Sequence, residues 1–89
     1  MIEDSVLIIN RLGLHARAAA KLVDCAASFS SQITLQKDKQ VVDAKSIMSV
    51  MLLAAGQNTT LQMTIDGDDD VAAHQAILDL INNRFGEAE

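Results

Sequence analysis

The sequence predicts a two-layer α+β domain in which four strands, mostly antiparallel, lie against three helices. Three observations carry that expectation. The chain has 89 residues, room for one core but not for two independent ones. Its segments follow the order strand, helix, strand, strand, helix, strand, helix. The second and last strand segments have one apolar and one polar face, as a sheet wet on one side requires, whereas parallel strands are usually apolar on both.

Val6-Leu7-Ile8-Ile9 is rich in β-branched residues and closes at Asn10, giving a first strand. Gly13 ends a turn, and Ala16 to about Ser28 forms the first helix. There Ala19, Leu22, Val23 and Ala26 recur at three and four, while Arg17, Lys21 and Asp24 lie elsewhere on the wheel. Ile33-Thr34-Leu35 alternates as a strand, Lys37 to Gln40 is a polar hairpin tip, and Val41-Val42 begins the returning strand. Ser46 to about Ala55 is a short helix stopped by Gly56. Leu61, Met63 and Ile65 alternate with Gln62 and Thr64 in the clearest half-buried strand. Asp68-Asp69-Asp70 opens the last helix, where negative charge suits the N-terminal end of the dipole. That helix points Ala73, Ile77, Leu80 and Ile81 inward and ends near Phe85-Gly86. With no proline, four glycines and no linker, repeat or low-complexity tract, residues 1–89 form a single domain.

Composition removes several functions. Hydrophobic residues make up 49% and charged ones 21%, which suits a folded domain rather than a disordered one. Phe29 and Phe85 are the only aromatics, too few for a base-stacking platform. A net charge of −5 argues against nucleic acid and anionic membranes as partners. The single cysteine makes no internal disulfide and suits a reducing compartment. No apolar run reaches the ~20 residues of a membrane span, and Met1-Ile2-Glu3-Asp4 is acidic, unlike a secretory signal. A cytoplasmic protein without membrane insertion is expected.

The chemistry concentrates in Asn10-Arg11-Leu12-Gly13-Leu14-His15-Ala16-Arg17. His15 follows a glycine turn at the start of a helix, where the first amides have no intrahelical acceptor and favour an anion. The amides of Ala16, Arg17 and Ala18 are the candidate phosphate cradle, and the Arg17 guanidinium offers a fork for phosphate oxygens. Arg11, Arg17 and Lys21 fall between Asn10 and Val23, a stretch with no acid, while Asp66 to Glu89 holds seven acids against Arg84. From spacing alone, His15 is either the centre of an anion site or a helix cap.

Leu12-Gly13-Leu14-His15-Ala16-Arg17, together with Lys45-Ser46-Ile47-Met48, resembles the histidine-containing phosphocarrier (HPr) family of the bacterial phosphoenolpyruvate-dependent phosphotransferase system. The resemblance runs from about Val6 to Phe85. It implies an open-faced β-sandwich, four antiparallel strands covered on one face by three helices. It also implies that His15 takes a phosphoryl group on Nδ1 from Enzyme I and passes it to a histidine of an EIIA-type protein. Such a relay needs positioning and charge stabilisation more than covalent machinery, so no cofactor or metal is expected, and the protein is a monomeric carrier rather than a stand-alone enzyme. A solvent-facing His15 with no general base nearby would leave the phosphoryl group open to a partner and poorly assisted toward water. Ala18 stands where many members have proline and resembles the nitrogen-related branch, so sugar uptake and nitrogen or regulatory signalling both stay open.

The middle helix carries Ile47, Met48, Val50, Met51, Leu52 and Leu53 with almost no polar face. It is either wedged in the core or an apolar docking patch, where methionines suit several partners. The resemblance favours docking: Ile47, Met48 and Met51, with Lys21 and Lys45, are assigned to partners, and Val50 and Leu53 to the core. Ser46 fits a helix N-cap. It also matches the serine modified by HPr kinase/phosphorylase, where a phosphate would put negative charge on the docking face.

Lesser candidates have bland readings. His74 follows Asp70 by four residues on a helix and is a solvated or boundary histidine with a carboxylate neighbour. Cys25, beside Leu22 and Ala26, is a small buried hydrophobe. His15, His74 and Cys25 lack metal-ligand spacing, and the Asp68–Asp70 run does not continue as a calcium loop. Two rival functions remain: a regulatory module controlled through Ser46, and a hydrolase of small phosphates that turns over without partners.

Overall fold

The strand with the cleanest alternation forms the middle of the sheet. The computed structural model describes residues 1–89 and places strand β1 at Ile2–Leu7, helix α1 at Ala16–Ala27, strands β2 and β3 at Gln32–Lys37 and Gln40–Asp43, helix α2 at Ile47–Leu52, strand β4 at Thr60–Asp66 and helix α3 at Asp70–Asn82. Leu61, Met63 and Ile65 of β4 are fully buried, a burial that contributes about 1.5–3 kcal/mol for each such side chain. On one side β4 pairs with β1 from Ile2–Ile65 to Leu7–Thr60, and on the other with β2 from Gln32–Asp66 to Gln36–Gln62. Strand β3 completes an all-antiparallel sheet of order β1-β4-β2-β3. Ala19, Leu22 and Ala26 of α1 join Ala73, Ile77 and Ile81 of α3 in the core, while Val23 and Leu80 are only half-buried.

Several boundaries differ from the sequence reading. β1 begins at Ile2 and ends at Leu7, because its register along β4 recruits the acidic Glu3-Asp4 segment as strand; Ile8 continues the pairing through bonds to Thr59 and Asn58. Helix α2 stops at Leu52, well before Gly56. Ala54 turns left-handed there (φ 50°), and the Lys37 ammonium binds the carbonyls of Leu53 and Ala54 at 3.0 and 3.3 Å. Helix α3 starts at Asp70, not Asp68. The Asp69 carboxylate makes no cap bond to its own helix and accepts instead from the Ser30 amide and from the Ser31 amide and hydroxyl, at 2.8, 2.9 and 2.5 Å. These bonds hold its carboxyl down at about 2. Cys25 is half-buried rather than buried, and desolvation pushes its thiol up. His74 meets Asp4 of β1 at 2.9 Å, because Asp70 pairs with the Met1 amine.

After α3 the chain reverses through Arg84, Phe85 and Gly86, all left-handed (φ 54°, 55° and 79°). That conformation is strained for a bulky residue, and the complete burial of the Phe85 ring holds it in place.

Candidate functional site

The loop between β1 and α1 is built around Asn10 and Gly13. The Gly13 amide donates to the Asn10 carbonyl at 3.1 Å, and the Asn10 side-chain amide donates to the Gly13 carbonyl at 2.8 Å. Gly13 is left-handed (φ 66°), and a Cβ there would lie 2.4 Å from the Ala55 carbonyl oxygen, so only glycine lets the loop cross Ala55 this closely. The Leu14 amide then donates to that same oxygen at 2.8 Å, and its side chain is buried. His15 is thereby presented at the start of α1.

His15 holds the N-cap position through its backbone alone: its carbonyl accepts from the Ala19 amide at 2.8 Å, and its ring makes no cap bond. The first helical amides, those of Ala16, Arg17 and Ala18, have no acceptor within the helix. Ala16 and Arg17 are exposed, whereas the Ala18 methyl is fully buried. Arg17 makes no ion pair and no side-chain hydrogen bond, so its guanidinium is available to an anion.

The ring is not free of carboxylates, contrary to the sequence reading. Nε2 of His15, a half-buried side chain, contacts the Glu87 carboxylate, whose other oxygen accepts from the Asn10 amide at 2.9 Å. The Asn10 bond, then the His15 ring and the Arg17 charge, hold the Glu87 carboxyl below the usual carboxylate range against an opposing desolvation. Arg11 pairs with Glu89 at 2.8 Å. The acidic tail thus folds onto the basic loop, and together they line an open cleft of about 670 Å³ formed by Arg11, Leu12, His15, Ala16, Arg17 and residues 87–89. Sequence reasoning placed Asn10 in the motif without its role as a bridge, and missed Glu87. The only signal was the pairing of an acid-free stretch with an acid-rich end.

The residues of α2 divide between surface and core as the family resemblance implied. Ile47, Met48 and Met51 are exposed, Met48 to 69%, while Val50 and Leu53 are buried. Leu52, 68% exposed and one turn beyond Met48, belongs to the same patch. Ser46 caps α2, accepting from the Ser49 amide at 3.4 Å, and its hydroxyl lies 3.0 Å from that of Ser49. Lys21 and Lys45 are each tied to a carbonyl, of Phe85 at 2.6 Å and of Phe29 at 2.7 Å. Both lysines therefore brace the fold as well as carrying charge.

A histidine at a helix start, beside an unpaired arginine and an apolar patch, is the arrangement the motif resemblance implied. The family model described as "PTS HPr component phosphorylation site" matches residues 2–83. The chain belongs to the HPr family. It is 52% identical over 89 residues to the phosphocarrier protein HPr of Cupriavidus necator, covering 100% of both chains. A crystal structure of HPr from Thermoanaerobacter tengcongensis superimposes with a TM-score of 0.96 at 45% identity, covering 100% of both chains. A second structure from that organism, an HPr dimer, has a TM-score of 0.79 at 46% identity, covering 98% of this chain and 100% of that one. As an HPr, the chain is a phosphocarrier of the phosphotransferase system. No helix is long and apolar enough to cross a membrane.

Proposed function

We propose that His15 accepts a phosphoryl group on Nδ1 from Enzyme I and passes it to a histidine of an EIIA-type protein, in sugar uptake or in nitrogen or regulatory signalling. The protein acts as a monomeric, cytoplasmic single domain. One observation carries this reading: Nε2 of His15 faces a carboxylate while Nδ1 has no hydrogen-bond partner. An ionised carboxylate only accepts, so the ring proton stays on Nε2 and the lone pair is on Nδ1. That lone pair forms the nitrogen–phosphorus bond as the donor's bond to phosphorus breaks, and the phosphate oxygens meet Arg17 and the amides of Ala16, Arg17 and Ala18. Glu87 sits on the far edge of the ring from Nδ1, so it is not aimed at a water attacking the phosphorus.

The exposed patch of Ile47, Met48, Met51 and Leu52, with Lys21 and Lys45, supports docking of donor and acceptor in turn. The regulatory alternative through HPr kinase/phosphorylase has less support, since the Ser46 hydroxyl is already engaged with Ser49 as a cap. Incubation with phosphoenolpyruvate and Enzyme I, followed by mass measurement, tests the carrier reading. One acid-labile, base-stable phosphoryl group is expected on the wild type and none on His15→Ala. Label retained by that variant would overturn the assignment, and phosphate release without partners would favour a hydrolase.

A further inference from the structure

Glu87 lies outside every motif that points to the site, yet both of its carboxylate oxygens are committed there. One faces Nε2 of His15 and the other accepts from the side-chain amide of Asn10. We infer that Glu87, held by Asn10, is the positioning residue that keeps the His15 proton on Nε2 and so leaves Nδ1 as the nucleophile. The inference rests on the carrier reading above and deepens it.

Two features show that this contact is built rather than incidental. Asn10 is fully buried, and its Nδ2 donates both to Gly13 within the loop and to Glu87 in the tail, so one side chain fixes the histidine loop and the carboxylate relative to each other. Its Oδ1 is buried with no partner in the protein. The chain also adopts three consecutive left-handed residues, Arg84, Phe85 and Gly86, to bring residue 87 back over α1. Such strain persists only where the surroundings over-determine it, and here the buried Phe85 ring and the Lys21 bond to its carbonyl do so.

The carboxylate is specifically required. Glu87 meets two donors, the Asn10 amide and the His15 Nε2–H, and only a group with two acceptor oxygens satisfies both. In Glu87→Gln, one oxygen serves Asn10 and the amide nitrogen faces the ring. Nε2 must then accept, and the proton moves to Nδ1, the atom that has to attack. In Glu87→Ala the ring has neither partner and takes up the mixture of tautomers of a free imidazole. The isosteric variant is therefore the worse of the two.

The test combines ring-nitrogen NMR of unphosphorylated protein, taken up in pH until the ring signals stop moving, with the kinetics of Enzyme I-dependent transfer. Wild type should show the proton on Nε2 and a bare Nδ1. Glu87→Gln should show it on Nδ1, with kcat lowered at least about tenfold and KM for the carrier unchanged; an enforced wrong tautomer costs ~10⁴-fold in serine proteases. Glu87→Ala should fall between. A Glu87→Gln protein that keeps the Nε2–H tautomer, or transfers at the wild-type rate, would overturn the inference. So would identical tautomers in the two variants. Because the tautomer is read without phosphate, failure of wild type to take label would strike the carrier reading and not this one.

Discussion

The Lys21 ammonium donates to the Phe85 carbonyl at 2.6 Å, tying the middle of α1 to the left-handed reversal that follows α3. This bond carries the tail onto the histidine loop. Replacing Lys21 with Met keeps the apolar stem but removes the charged donor. A charge-assisted hydrogen bond to a part-buried carbonyl contributes about 1.5–3 kcal/mol. Lys21→Met should therefore lower the unfolding free energy by up to that amount and loosen the Glu87–His15 contact. Calorimetry and the His15 ring signal check this together; an unchanged melting temperature would make the bond incidental.

The exposed and buried faces of α2 predict opposite outcomes for the same substitution. Met48→Glu puts charge on an open surface and should change stability by no more than ~0.5 kcal/mol, while strongly weakening affinity for both Enzyme I and an EIIA partner. Val50→Glu buries an unpaired charge and should prevent folding. Thermal melts beside binding isotherms separate the two. Loss of one partner only in Met48→Glu would show that donor and acceptor use distinct surfaces.

Gly13 is the least replaceable residue of the loop. Any Cβ there meets the Ala55 carbonyl oxygen and Gly56 Cα, at 2.4 and 2.6 Å, in a left-handed backbone. Gly13→Ala should destabilise by more than about 1 kcal/mol and slow phosphoryl transfer, because the Leu14–Ala55 bond that seats His15 must shift. Urea denaturation and transfer kinetics read the two effects. Wild-type transfer in this variant would show that the crossing does not position His15.

Asp69 makes acid stability measurable at one residue. Its folded carboxyl sits at about 2, below the usual 3.8, mainly through the Ser31 hydroxyl and the Ser30 amide. A depressed carboxyl stabilises the fold fully above the unfolded value and loses that contribution as pH falls from about 4 toward 2. Asp69→Asn should flatten stability against pH across that window while leaving the Glu87 contribution in place. Denaturant titrations at successive pH values give the slope, and an unaltered slope would remove Asp69 from the acid transition.

Ser46→Ala removes the α2 cap and should cost about 1 kcal/mol. Ser46→Asp keeps an acceptor for the Ser49 amide, so it should hold stability while placing charge beside Met48. Reduced Enzyme I binding in Ser46→Asp alone, seen by calorimetric titration, would fit a charge effect on docking. Equal loss in both variants would attribute it to the cap.

Local pattern alone determined much of this protein. The alternation of Leu61, Met63 and Ile65 placed the central strand, and the three-and-four spacing of Ala19, Leu22 and Ala26 placed a core-facing helix. Turn chemistry put His15 at a helix start, because it acts over a few residues; only the family resemblance of the Gly13-Leu14-His15-Ala16-Arg17 string singled it out as a phosphoryl site and favoured docking for Ile47, Met48 and Met51. Tertiary structure decided what depended on residues distant in the chain. The register of β1 on β4 made a strand of Glu3-Asp4, and Asp69 reached Ser30 and Ser31 instead of capping its own helix. His74 found Asp4 rather than Asp70. Above all, the acidic end of the chain closed on the acid-free loop, setting Glu87 against a histidine 72 residues away. No spacing rule encodes that contact. Phe85 packs into the core with Lys21 holding its carbonyl, and the residues that follow meet His15 only in the folded chain.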